Sequence, residues 1–272
     1  MPSTLLTGAN SFFAAHLLNQ LISDGHIVTG TVRSLSKGEQ LLKVHPEWTD
    51  KIRFVEVSHL SQRGAWDGVI QEGNFDYVIH NAAPMPDSRI ATDFDRDFLE
   101  PNVAGCVHYV PSFCSHSTLI INARDLELLK SAKTHGPNIK NITFVGSVNS
   151  LTDGSPESIA DRVFTNKDWI SYTTDDARAM QSPYISYCVS KKEAEKVVWD
   201  FVKTEKPHFS VTVFLPTIII GPAIHHVDNL KKINFSNDII YLYINGTNKR
   251  IPATPFPSYV RPVSYAMLNL AN

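Results

Sequence analysis

Cysteine is scarce: Cys106, Cys114 and Cys188 are the only thiols in 272 residues. Three cysteines at irregular spacing build no disulfide framework, and their scarcity suits a reducing compartment. An excess of one charge is also missing. The 25 Lys and Arg against 27 Asp and Glu leave a net charge of -2, too little positive charge for the dense basic patch that recruits nucleic acid or an anionic membrane. No run approaches the ~20 apolar residues of a membrane span. The opening "MPSTLLTGANSFF" lacks the basic segment, long apolar run and small-residue cleavage site of a secretory signal. There is no internal repeat and no low-complexity segment. What is present, 43% apolar and 19% charged residues, describes an ordinary globular protein. A cytoplasmic protein with a small-molecule partner is expected, with neither nucleic acid nor membrane engaged.

Short apolar runs alternate with longer amphipathic ones: "STLLTG" then "SFFAAHLLNQLISDG", "IVTGTVR" then "KGEQLLKVH", "FDYVIHNAA", and later "DLELLKSAKTHG" then "NITFVGS". Strands of about five residues separated by helices of ten or more need crossover connections, which give a parallel sheet. The expected fold class is α/β, a doubly wound parallel sheet, over residues 1–217. Residues 218–272 are expected to form a small substrate-side lobe.

"LLTGANSFFAAHLL" reads as strand, tight turn at Gly8 and helix, with Phe12, Ala15, Leu18 and Leu21 on the apolar face. The start of such a helix offers unpaired N–H groups and a positive dipole end, which suits a diphosphate. Against a G-x-x-G-x-x-G pattern, Ser11 and Ala14 replace the second and third glycines. The next strand ends at Arg33, with Lys37 close behind, where an NAD site usually carries an acidic residue for the ribose. A guanidinium there matches a 2′-phosphate by charge and by its planar fork of donors, which favours NADP(H) over NAD.

In "SPYISYCVSKKEAEKVVWDF", Tyr187 and Lys191 are four apart and share a helical face. An ammonium beside a phenol stabilises phenolate and lowers a pKa that is ordinarily near 10, so Tyr187 can give a proton to a carbonyl oxygen as hydride arrives. Lys191 is also placed to bind the nicotinamide ribose. Ser147 lies just past the strand in "NITFVGSVNS", at the carboxyl edge where open parallel sheets build their sites. Its hydroxyl can hold the carbonyl and the developing oxyanion. Tyr184 has Cys188 four residues on and cannot recruit the lysine in this way.

With these pieces in order, the sequence resembles an extended short-chain dehydrogenase/reductase. Within that group it is similar to the branch of NADPH-dependent aldehyde and methylglyoxal reductases and plant dihydroflavonol reductases. The matching stretches are "TGANSFFAAH", "TVRS" with Lys37, "VIHNAAP" for the family's H-x-A-S-P, "FTNKDW", the Tyr187 helix, "LPTIIIGP" and "INFSNDII". The resemblance implies a Rossmann-type NAD(P)-binding fold and a catalytic triad of Ser147, Tyr187 and Lys191. It places Gly8, Ala9, Asn10, Ser11, Phe12 and Phe13 at the pyrophosphate, and Arg33 and Lys37 at the 2′-phosphate. It also assigns cofactor contacts to Ala82, Ala83, Pro84, Pro216, Thr217 and Ser236. His59 and Leu60 stand where the family has an Asp-hydrophobic pair at the adenine, so the carboxylate contact is lost. The expected activity is NADPH-dependent reduction of an aldehyde or ketone. A catalytically impaired NADP-binding fragment or a nucleotide-binding protein without turnover is the alternative; an epimerase or hydroxysteroid dehydrogenase is disfavoured by Arg33 and "SYCVSKKEAEKVVWDF".

Two segments depart from the family pattern. Joining Gly105 to Asp125 restores the expected helix, so residues 106–124 are surplus, and a translated intron is the expected origin. Cys106, His108, Cys114 and His116 lie in that block, but their spacing is not that of a zinc site, and no metal is expected. At the carboxyl end, "RPVSYAMLNLAN" replaces the strand and helix that complete the family's substrate lobe, so residues 261–272 are atypical and reduced activity is expected. His80 is expected to be a neutral packing residue beside the cofactor. The adjacent His225 and His226 diverge too much to form a metal pair.

Overall fold

Leu5 and Leu6 are adjacent, and both are fully buried. Successive side chains on a strand point to opposite faces, so this pair requires a sheet covered on both sides, as parallel sheets are. The computed structural model describes residues 1–82, 123–159, 161–228, 233–246 and 259–260. Six strands, β1 (Ser3–Thr7), β2 (Ile27–Val32), β3 (Ile52–Glu56), β4 (Tyr77–His80), β5 (Asn141–Val145) and β6 (Ser210–Phe214), form one sheet in the order β3-β2-β1-β4-β5-β6. Every pairing in it is parallel. This is the doubly wound, Rossmann-type order expected from the sequence.

Helices α1 (Phe12–Ser23) and α2 (Leu35–Val44) close one face over Leu6, Val28 and Ile79. The other face, with Leu5, Val78, Ile142 and Phe144, is closed by α3 (Asp67–Gly73), α4 (Ala123–His135) and α7 (Pro183–Glu205). Each fully buried aliphatic side chain contributes about 1.5–3 kcal/mol, and the core is continuous along both faces. Two short helices, α5 (Pro156–Ile159) and α6 (Thr174–Met180), lie between β5 and α7. A capping box of Thr173 and Asp176 opens α6. Helix α7 starts with a Ser182 cap and Pro183 in its first turn, where proline costs nothing.

After β6 the chain leaves the main sheet. A separate two-stranded sheet pairs β7 (Ile218–Ile219) with β8 (Tyr259–Val260), and α8 (Phe235–Ile244) lies between them in sequence. Asn237 docks the first turn of α8 on Gly221, donating to its carbonyl at 2.8 Å and accepting from its N–H at 3.3 Å. Ala83, Pro84, the block 106–122 with Cys106, His108, Cys114 and His116, and residues 261–272 lie outside the described residues. No helix among the described residues is long and apolar enough to cross a membrane.

Candidate active site

Strand order reverses between β1 and β4, and ligands of open parallel sheets settle at the carboxyl ends flanking that point. The turn after β1 and the residues after β4 meet there. Gly8 has φ +64°, a left-handed conformation that favours glycine. A methyl group added to it would stand 3.0 Å from the Ala82 Cα, so the turn also needs glycine for close approach. Ser11 caps α1, its Oγ accepting from Ala14 N at 3.4 Å. The expected apolar face is present: Phe12, Ala15, Leu18 and Leu21 are all buried.

A buried polar chain holds the two turns together. Thr7 Oγ1 accepts from the backbone N–H of Asn81 at 3.1 Å and of Ala82 at 3.0 Å, and lies 2.9 Å from His80 Nδ1. A hydroxyl oxygen has two lone pairs and one hydrogen. With both lone pairs taken, that hydrogen goes to Nδ1. Nε2 then carries the ring proton and donates to Asp125 Oδ1 at 3.1 Å. His80 and Asp125 are 3% and 4% exposed, and the ring is edge-on to Trp66 and Phe144. On this donor count the buried His80 ring is neutral. Its link to Asp125 at the start of α4 has no signature in the local sequence.

The catalytic candidates converge on the next strand end. Gly146 N and Val148 N donate to Phe214 O at 2.8 Å and Pro216 O at 3.0 Å, placing Ser147 beside the Pro216–Thr217 segment. Ser150 Oγ donates to Glu195 of α7 at 2.8 Å, fixing the loop to that helix. Ser147, 6% exposed, caps the turn at 148–150 and donates to Asn149 Oδ1 at 3.1 Å. Lys191 Nζ lies 5.6 Å from the centroid of the Tyr187 ring, and the Ser147 side chain is near enough to the phenol to influence its titration. Ser147, Tyr187 and Lys191 are therefore together.

One expectation is corrected. The phenol of Tyr187 titrates above the ordinary tyrosine value, not below it. Burial is the largest influence, disfavouring the charged form, and the neighbouring Ser147 side chain pulls the other way. The side chain keeps part of its surface, but desolvation still dominates.

The neighbours of the triad take structural roles. Asn149 donates to Tyr184 Oη at 2.7 Å, and Tyr184 donates to Asp153 O at 2.8 Å. Burial pushes the Tyr184 phenol well up and the Cys188 thiol up to about 12. Of the two adjacent lysines, Lys192 is buried and donates to the carbonyls of Tyr172 and Ile170. That leaves Lys191 as the lysine beside Tyr187. Asn149 and Lys192 were not singled out by the sequence, since their partners lie 20 to 35 residues away.

The remaining candidates lie on other elements. Arg33 directly follows β2 and Lys37 lies in the first turn of α2, both exposed. His59 is exposed, and Leu60 O accepts from Trp66 Nε1 at 3.0 Å. Ser236 Oγ, in the first turn of α8, accepts from Asn234 at 2.8 Å. His225 stacks edge-on against Phe12 at 5.6 Å, while His226 pairs with Asp228 at 3.0 Å. The two histidines thus diverge, and no metal-ligating cluster occurs among the described residues. Thr217 Oγ1 is buried without a partner, and a buried polar atom left so is costly. With the glycine cradle at Gly8 and the cations at Arg33 and Lys37, that orphan fits a phosphorylated dinucleotide across the crevice.

The sequence pattern of the NAD dependent epimerase/dehydratase family matches residues 4–250. The chain belongs to this family. It is the extended short-chain dehydrogenase/reductase group that the motifs resemble. An uncharacterised oxidoreductase of Schizosaccharomyces pombe is 33% identical over 96% of the chain and 71% of that protein. A ketoreductase of Aspergillus niger is 32% identical over 87% of the chain and 62% of its own length. Among solved structures, Gre2 of Candida albicans in complex with NADPH superposes with a TM-score of 0.77 at 26% identity, over 98% of this chain and 72% of that one. The chain thus spans about two thirds of the length of these extended reductases.

Proposed function

We propose that the chain is an NADPH-dependent carbonyl reductase that converts an aldehyde or ketone to an alcohol. The observation that carries this reading is the meeting of Tyr187, Ser147 and Lys191 beside the Pro216–Thr217 segment. Residues 1–217 form the nucleotide-binding unit, and residues from 218 onward contribute to the substrate side. The backbone from Gly8 to Phe13 holds the diphosphate, Arg33 and Lys37 the 2′-phosphate, and Thr217 the nicotinamide end. When bound, NADPH supplies the hydride that adds to the carbonyl carbon.

Ser147 positions the carbonyl oxygen, and Tyr187 donates its proton to that oxygen as negative charge develops. The raised pKa of the phenol suits this direction, because it keeps Tyr187 protonated until the substrate oxygen becomes basic. Lys191 then stabilises the phenolate left behind and orients the ribose. The test is NADPH absorbance followed against a panel of aldehydes and ketones that includes methylglyoxal. Oxidation with at least one substrate is expected. NADPH binding without oxidation across the panel would favour the non-turnover reading, and tight NAD binding with no net oxidation an epimerase.

A further inference from the structure

Two positions at which this chain differs from the family pattern, or at which the pattern is open, meet in the fold. Ser11 stands where the phosphate turn has its second glycine, and Asn81 fills the variable place in H-x-A-S-P. Asn81 Nδ2 donates to Ser11 Oγ at 2.9 Å, joining residues 70 apart across the point where strand order reverses. Ala14 N donates to the same oxygen at 3.4 Å. Both lone pairs of the Ser11 hydroxyl are thereby occupied, and only its O–H remains to be used. Ser11 is exposed, and no described residue accepts that hydrogen. Asn81 is itself held, its N–H on Thr7 Oγ1 at 3.1 Å.

We infer that the Ser11 hydroxyl, held in place by Asn81, donates a hydrogen bond to the cofactor diphosphate. A side-chain donor thus stands where a glycine would offer only its backbone. This rests on the NADPH reading above and deepens it. Ser11 is the contact, and Asn81 is a positioning residue that acts through it. The anionic partner follows from the setting: a donor with no acceptor among the described residues, at the positive N-terminal end of α1.

The experiment is calorimetric titration of the full chain and its variants with NADPH and, separately, with 2′-AMP, which lacks the diphosphate. Glycine caps helices nearly as well as serine, so Ser11→Gly is expected to fold, and its Tm checks this. Ser11→Gly should weaken NADPH binding by about 10- to 100-fold, the range for a hydrogen bond to a charged group, and leave 2′-AMP affinity unchanged. Ser11→Thr keeps the hydroxyl and should retain most of the affinity. Asn81→Ala should weaken NADPH binding by about 3- to 10-fold, a neutral hydrogen bond's worth, and add nothing in the Ser11→Gly background. A merely structural Asn81 would not show that non-additivity. If Ser11→Gly binds NADPH as tightly as the parent, or loses 2′-AMP affinity to the same degree, the inference is wrong. If the parent itself fails to bind NADPH, the cofactor reading falls and this inference with it.

Discussion

Truncating Asp125 tests the buried chain that ties the cofactor crevice together. Thr7 uses both lone pairs on the N–H groups of Asn81 and Ala82, so its hydrogen goes to His80 Nδ1 and the ring that faces Asp125 is neutral. Asp125→Ala then takes from that N–H its Asp125 acceptor, in a pocket walled by Trp66 and Phe144. A stranded neutral donor costs about 1–3 kcal/mol, whereas a stranded charge costs about 3–5 kcal/mol; the tautomer selects the smaller range. Asp125→Asn keeps a carbonyl oxygen that can accept from Nε2 and should cost about 1 kcal/mol or less. The assay is urea unfolding followed by tryptophan fluorescence, to which Trp66 contributes from 5.7 Å. With a slope of about 3 kcal/mol/M, the midpoint should fall by about 0.3–1 M for Asp125→Ala. A shift below about 0.1 M, or equal losses for the Ala and Asn variants, would refute the hydrogen-bond assignment.

Four further outcomes are expected. Tyr187→Phe should lower kcat by about 10²–10⁴-fold, the usual share of a general acid, while calorimetry shows NADPH affinity and Tm near those of the parent. Ser147→Ala should reduce kcat by about 10²–10³-fold, with KM much less affected, read from steady-state NADPH oxidation. Arg33→Ala should weaken NADPH by about 10- to 100-fold, the loss of a charge-assisted contact, and leave NADH unchanged; equal losses for both would place Arg33 away from the 2′-phosphate. His16, His26 and His225 all titrate below the ordinary histidine value of 6.5, with burial the largest cause. Below pH 6.5 the unfolded chain therefore binds protons that the folded chain refuses, so Tm should fall from pH 7 to 5.5. His16→Gln should flatten that slope, and a Tm that rises on acidification would contradict the assignment.

The fold and the convergence of Ser147, Tyr187 and Lys191 were legible because they follow from local pattern. Five-residue apolar runs between amphipathic helices specify a parallel sheet, and Tyr187 with Lys191 four residues on specifies a shared helical face. The basic residue after β2 could likewise be read from its position after "IVTGTV". What could not be read is what depends on long-range contact. The Asn81 and Ser11 bond, the His80 and Asp125 pair, and the placing of Lys192 on the carbonyls of 170 and 172 join residues 20 to 70 apart. The sign of the Tyr187 shift was missed for a related reason: the lysine is visible in the sequence spacing, whereas desolvation depends on packing from other elements.

The most direct test of the account is deuterium transfer from NADPH labelled at nicotinamide C4, followed by mass spectrometry of the alcohol formed from an aldehyde that the chain reduces. The account predicts one deuterium on the former carbonyl carbon with the parent chain and at most a trace with Tyr187→Phe, although that variant still binds NADPH. Product formed at the parent rate by Tyr187→Phe, or alcohol without label, would contradict it.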